Sequence, residues 1–147
     1  MPDPVNLTVP GEIAAAIDGA ALRGHPVALA HVRDDGSPSV SLRGSTYVRS
    51  STELALWARK RDSGLAAAIK DRPRVSLVFF EIDGPGARYL AIEGRARVAA
   101  ELDDEVYGAI IEPERQRDPE RKGVAVVVDV DSVVGATKNG FFQQSRG

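Results

Sequence analysis

Two stretches of the sequence carry the side chains best suited to chemistry. Ser41, Arg43 and Ser45 occupy alternate positions of an extended run, and Arg59, Lys60, Arg61 and Ser63 follow one strand later. A guanidinium fork matches phosphate or carboxylate oxygens bidentately, and a hydroxyl adds another donor. The second stretch runs from a strand end into a helix start, where unpaired backbone N–H groups and the helix dipole favour an anion. The two stretches together read as a phosphate site. A solvated charged turn is the alternative reading of the same cations. The excess of arginine, 15 residues against 4 lysines, has compositional bias as its simpler cause, so position has to decide.

Other candidates are weaker. His25, before Pro26, reads as a surface residue. His31 shares a strand face with Val27 and Leu29 and reads as a hydrogen-bonded core histidine rather than a metal or haem ligand. Neither histidine has a second ligand at metal spacing, and no metal site is expected. A Gly-x-Ser-x-Gly elbow is missing, which argues against Ser-His-Asp catalysis. Trp57 and Tyr47 read first as core rings, and second as walls for a planar heterocycle. The acidic clusters at 103–105 and 112–114 read as solvated helix ends and loop. The chain has no cysteine, so thiolate metal sites, disulfides and cysteine nucleophiles are excluded.

The elements that must position these residues are legible from periodicity. Pro10, Glu12, Ile13, Ile17 and Ala20 predict a helix ended by Gly24. Residues 27–32 alternate as a strand buried on both sides, and Asp34-Asp35-Gly36-Ser37 predicts a hairpin turn. Residues 39–49 alternate as one long strand, with Val40, Leu42, Gly44, Thr46 and Val48 opposite Ser41, Arg43, Ser45, Tyr47 and Arg49. A third strand is expected over 53–59. A helix capped by Asp62 or Ser63 runs to Arg72-Pro73. Strands over 74–82 and 88–100 flank a turn at 83–86. A helix over 103–111, a charged loop over 112–122 and a last apolar strand over 123–134 complete the chain. Residues 1–8 and 139–147 read as tails of a single domain spanning 1–147. Long antiparallel strands without a βαβ rhythm predict a mainly β (α+β) fold, a small barrel with short helices.

Length and composition set the outer bounds. A chain of 147 residues with 43% hydrophobic and 27% charged residues is one globular domain. A net charge of −2 gives no global basic field, so no nucleic-acid partner is expected. No apolar run reaches membrane-spanning length, and residues 1–10 do not look like a signal peptide, so a cytoplasmic protein is expected.

The order of these pieces resembles the pyridoxamine 5′-phosphate oxidase-like superfamily. The resemblance rests on Val27-Ala28-Leu29-Ala30, on 35–40 and 54–59, on 63–69 with Arg72-Pro73-Arg74-Val75, and on Glu93-Gly94-Arg95-Ala96-Arg97-Val98. It covers roughly residues 26–135. It implies a six- to seven-stranded split β-barrel homodimer that binds FMN, or in a related branch the deazaflavin coenzyme. Carried over by position, the cofactor residues would be Ser41, Leu42, Arg43, Gly44, Arg59, Lys60, Arg61 and Ser63, with Trp57 as the aromatic candidate. The implied function is a flavin- or deazaflavin-dependent oxidoreductase acting on a small molecule. Its alternative is a non-catalytic haem or flavin carrier on the same barrel. The family's lysine two residues after the turn serine is replaced here by Leu65. The aromatic, arginine-bearing C-terminal signature of pyridoxal phosphate synthesis is absent, so that activity is not expected. The resemblance assigns no catalytic residue.

Overall fold

The computed structural model describes residues 3–84 and 86–146, so Pro85, in the turn expected over 83–86, lies outside the described residues. The same holds for Met1, Pro2 and Gly147 at the ends of the two expected tails. Helix α1 (Glu12–Ile17) buries Ile13, Ala16 and Ile17 on one stripe. Gly19, at φ 71°, then breaks the run, and a separate 3-10 turn over Ala20–Arg23 ends at Gly24, at φ 85°. The single helix expected over 10–24 is therefore two pieces, because a left-handed residue cannot continue a right-handed helix.

Strands β1 (Val27–Val32) and β2 (Pro38–Arg43) form the expected hairpin, closed by Gly36 at φ 85°. The long strand expected over 39–49 is interrupted. The backbone N–H and Oγ1 of Thr46 both donate to the Arg43 carbonyl, at 3.1 and 2.8 Å. This turn separates β2 from β3 (Tyr47–Val48), which pairs with β4 (Glu53–Ala58). Helix α2 (Gly64–Asp71) leads into β5 (Arg74–Asp83) and β6 (Gly86–Val98). A 3-10 turn, α3 (Asp103–Ala109) and α4 (Glu112–Arg115) follow. The last of these replaces part of the expected loop, since Pro113 suits a first helical turn. Strands β7 (Val124–Thr137) and β8 (Gly140–Ser145) end the chain, and β8 takes the place of the expected C-terminal tail.

The eight described strands form one curled antiparallel sheet, a split β-barrel, in the order β2-β1-β5-β6-β7-β4-β3 with β8 also on β7. The split comes from β7. Its first half pairs with β4 and its second with β8, and a bulge opposite Glu93 and Gly94 separates the two. Gly94 is required there, because a Cβ would lie 2.5 Å from the Asp129 carbonyl oxygen.

The concave side holds the main core: Leu7, the stripe of α1, Leu65, Ala66 and Ile69 of α2, and inward residues of β1 and β4 to β7. A second cluster lies on the opposite face of β4 and β7, where Ala55, Trp57, Ala125 and Val127 meet Val106 and Ile110. The Val124–Val128 run is apolar throughout because both of its faces are covered. β1 is different. Val27, Leu29 and His31 are buried, whereas Ala28 and Ala30 are half-buried and Val32 is exposed, so one face is open rather than both being buried. That open face continues through Val40 and Leu42 of β2 and Val78, Phe80 and Ile82 of β5. Among the described residues, no helix is long and apolar enough to cross a membrane.

Candidate functional site

Because β2 is an edge strand, its inward face is only partly covered and forms one wall of a cavity of about 940 Å³. Alternation along β1 and β2 places His31, Ser39, Ser41 and Arg43 on this wall, with Ser39 opposite His31 and Ser41 opposite Leu29. The far wall is the segment joining β4 to α2, which contributes Arg59, Lys60, Asp62 and Ser63. Leu65 and Ala68 of α2 line it with apolar surface. Ser63 occupies the N-cap position of α2, yet its side chain makes no cap hydrogen bond. The hydroxyl and the first N–H groups of the helix are thus left for another acceptor.

Arg43 is half-buried and donates through Nε to Ser41 Oγ at 2.9 Å. Burial, and the nearby charge of Arg59, lower its pKa, while Glu114 opposes them. Among the described residues, no carboxylate pairs with Arg43, Arg59 or Lys60. The acids at the rim are partly committed elsewhere: Asp34 accepts from Arg72, and Asp35 accepts from Ser37 N and Oγ at 2.9 and 2.6 Å. The remaining acid on the lining is Asp62. Four cations, counting Arg33, therefore face three carboxylates, two of which are hydrogen-bonded outside the cationic cluster.

The structure brings together Ser41, Arg43, Arg59, Lys60 and Ser63 from the sequence-based set, and Leu42 borders the cavity although alternation turns its side chain to the open face. It separates the other three. Arg61 turns away, with Nη1 donating to the Gly123 carbonyl at 2.5 Å and to Asp103 Oδ2 at 3.2 Å. Trp57 does not wall the cavity. Alternation along β4 sends its ring to the second core, where Nε1 donates to Asp118 Oδ2 at 2.9 Å and Tyr107 packs edge-on at 5.1 Å. Gly44 sits in the turn after β2, beside Glu114 and Ala21. Ser45 is also structural, since its Oγ accepts from Trp57 N at 2.9 Å.

His31 is the residue that sequence reasoning undervalued. It is buried as expected, but Nδ1 has no hydrogen-bond partner among the described residues, so it is not the satisfied core histidine expected. Burial, followed by the charges of Arg43, Arg33 and Arg72, lowers its pKa. The signal was its place on the face that also carries Ser41 and Arg43 across the hairpin.

The arrangement suits a phosphate-bearing ligand. Cationic forks, hydroxyls and free helix N–H groups converge on one end, and the volume falls within the range of ordinary cofactor sites. The family model described as pyridoxamine 5′-phosphate oxidase matches residues 13–133, and the chain belongs to that family. No curated protein matches the sequence. Among solved structures, HupZ of Group A Streptococcus is similar at 14% identity and TM-score 0.65, covering 90% of this chain and 96% of that one. An FMN-binding protein from Syntrophomonas wolfei is similar at 8% identity and TM-score 0.65, over 86% of this chain and 88% of that one. A heme binding protein from Mycobacterium smegmatis is similar at 16% identity and TM-score 0.64, over 90% of this chain but 55% of that one. At these identities the likeness is one of fold.

Proposed function

We propose that this member of the pyridoxamine 5′-phosphate oxidase family binds FMN and acts as a flavin-dependent oxidoreductase on a small molecule. The observation that carries this reading is the convergence of Arg43, Arg59 and Lys60 on one cavity with no carboxylate among the described residues bonded to any of them. The FMN-binding protein of similar fold supports the same cofactor class. Bound flavin would supply the hydride chemistry. The chain's part is to grip and orient it. Arg43 and Arg59 would hold the phosphate, Ser41 and Ser63 would add hydroxyl donors, and the start of α2 would add its free N–H groups. Leu65 and Ala68 give an apolar wall that excludes water from one side.

FMN is preferred to the deazaflavin coenzyme on a specific observation. A phosphodiester with a polyglutamyl tail needs a long cationic track, and the cations that would extend it are engaged. Arg61 is bound to Asp103, and Arg49 donates to Glu105 and Glu53, each at 2.5 Å. A haem or flavin carrier is the second reading. It is favoured by Leu65, which leaves α2 without the family's lysine, and by the fold shared with the mycobacterial heme binding protein.

The proposed protein is a homodimer. The apolar run Val124–Val128 is fully buried within one chain, so it is not what a partner would cover. The surface left to cover is the open face of β2, β1 and β5, where Val40 is 71% and Ile82 69% exposed, continued by Phe141 of β8. Such a patch marks an interface. Titrating the apo-protein with FMN, the deazaflavin coenzyme and haemin, each followed by its own optical signal, tests the reading. Binding of FMN below tens of micromolar supports it. A Soret band with no flavin binding transfers the site to haem.

A further inference from the structure

We propose that His31 is the ligand-reading residue at the back of the cavity, taking up a proton from solvent when a phosphate binds and donating it as a hydrogen bond to that anion. The proposal rests on the cavity holding a phosphate-bearing ligand. It starts from an unmet need. His31 is 7% exposed, and its Nδ1 is buried with no partner among the described residues. Buried polar atoms are almost always paired, so an orphan beside a cavity points to a partner that arrives from outside. Register puts the ring next to Ser39, on the face that also presents Ser41 and Arg43.

The charged groups around it set the direction of the effect. β2 contributes Arg43, the hairpin turn Arg33, and the end of α2 Arg72, while the segment before α2 contributes Arg59, Lys60 and Asp62. Asp34 and Asp35 are at the rim, bonded to Arg72 and Ser37. β5 and β6 turn Val75, Leu77, Ile92 and Ala96 to the core, and Arg74, Glu93 and Arg95 with Asp131 of β7 line a second cavity that His31 also borders. In the free protein, burial and three arginines therefore disfavour the imidazolium. A dianion held by Arg43 and Arg59 cancels that field, and the imidazolium becomes the favoured form. The His31 pKa is then higher in the complex than in the free protein. Binding takes up a proton, so the extra affinity is fully present below the free value and is lost as pH rises through the bound value.

The chain has two histidines, His25 and His31, so its imidazole carbon resonances are few enough to follow individually. The full chain, labelled at histidine and assigned with His25→Gln, is titrated with acid in the absence and presence of saturating FMN. The expected result is a rise in the His31 midpoint of about one pH unit or more on binding, with little change at His25. In parallel, FMN affinity relative to His31→Gln should fall about tenfold across that window as pH rises. The ionisation of the phosphate itself is common to both proteins and cancels. FMN binding with an unmoved His31 midpoint overturns this proposal alone. No FMN binding at any pH removes the cofactor reading and the proposal with it.

Discussion

Around Glu81, one buried carboxylate gathers Arg23 and Arg88, with His25 Nε2 at 3.6 Å; around the β1–β2 cavity, Arg43, Arg59 and Lys60 gather with no carboxylate among the described residues bonded to any of them. In the first region the counter-charge is part of the chain. Glu81 lies on the inner face of β5, and the two guanidiniums stand 6.0 and 5.9 Å from the Phe79 ring centroid. Arg23 also donates to the Ala16 carbonyl at 2.6 Å, tying the 3-10 turn to α1. This cluster locks the N-terminal helical segment onto the sheet. The cavity has the same residue types, but among the described residues none of its three lining carboxylates is bonded to Arg43, Arg59 or Lys60. The contrast separates two roles: cations satisfied internally hold the fold, and cations left unpaired are the candidates for an anion from outside.

The contrast is sharpest when one member of each region is removed. Glu81→Ala strands two arginines, one of which already has a buried, unpartnered Nε. It should cost about 3 kcal/mol of stability in urea unfolding and leave FMN affinity within twofold. Arg43→Ala should do the reverse. FMN affinity falls about ten- to a hundredfold, and stability of the free protein stays within ~0.5 kcal/mol, since a half-buried cation without an acidic partner gives the fold little. If Arg43→Ala unfolds the protein as readily as Glu81→Ala, the two regions do not differ in kind.

Arg59 and Arg61 repeat the comparison two residues apart. Arg61→Ala breaks the contacts to Asp103 and Gly123 and should lower stability by about 1 kcal/mol with FMN binding preserved. Arg59→Ala should weaken FMN binding by about tenfold with stability preserved. Thermal unfolding and fluorescence titration of the two variants decide between them, and equal effects on binding would return Arg61 to the site.

The smallest effect concerns acid. The hydrogen bond from Arg88, helped by the charges of Arg88, Arg23 and His25, holds the Glu81 carboxyl below the usual range despite its burial. A depressed carboxylate contributes stability that is present above its unfolded pKa and lost as pH falls through its folded value. Glu81→Gln should therefore flatten the acid limb of the stability profile. Arg43→Ala should leave that limb as it is.

How far the sequence could see depends on the range of the forces involved. β1 ends where alternation said it would, because its limits are the local signals of Pro26 and the Asp34–Gly36 turn. The Ser41–Arg43 wall and the Arg59–Ser63 turn were legible for the same reason, and the resemblance in order of pieces carried the barrel. The break between β2 and β3 was not legible, since alternation runs on through Gly44 and Ser45 while Thr46 closes a turn behind it. Arg61 and Trp57 were misplaced through partners remote in sequence: Asp103 lies 42 residues from Arg61, and Asp118 lies 61 residues from Trp57. A charge run shows where cations are, and it does not show which of them the fold will neutralise.

On the proposed reading, the cations of the cavity hold a phosphate. Comparing FMN with riboflavin, which lacks only that phosphate, tests it most directly. The parent protein should bind FMN at least about tenfold more tightly than riboflavin, and Arg43→Ala should bring the two close together. Equal affinity of the parent for both flavins, or a preference for FMN that survives Arg43→Ala combined with Arg59→Ala, would contradict it.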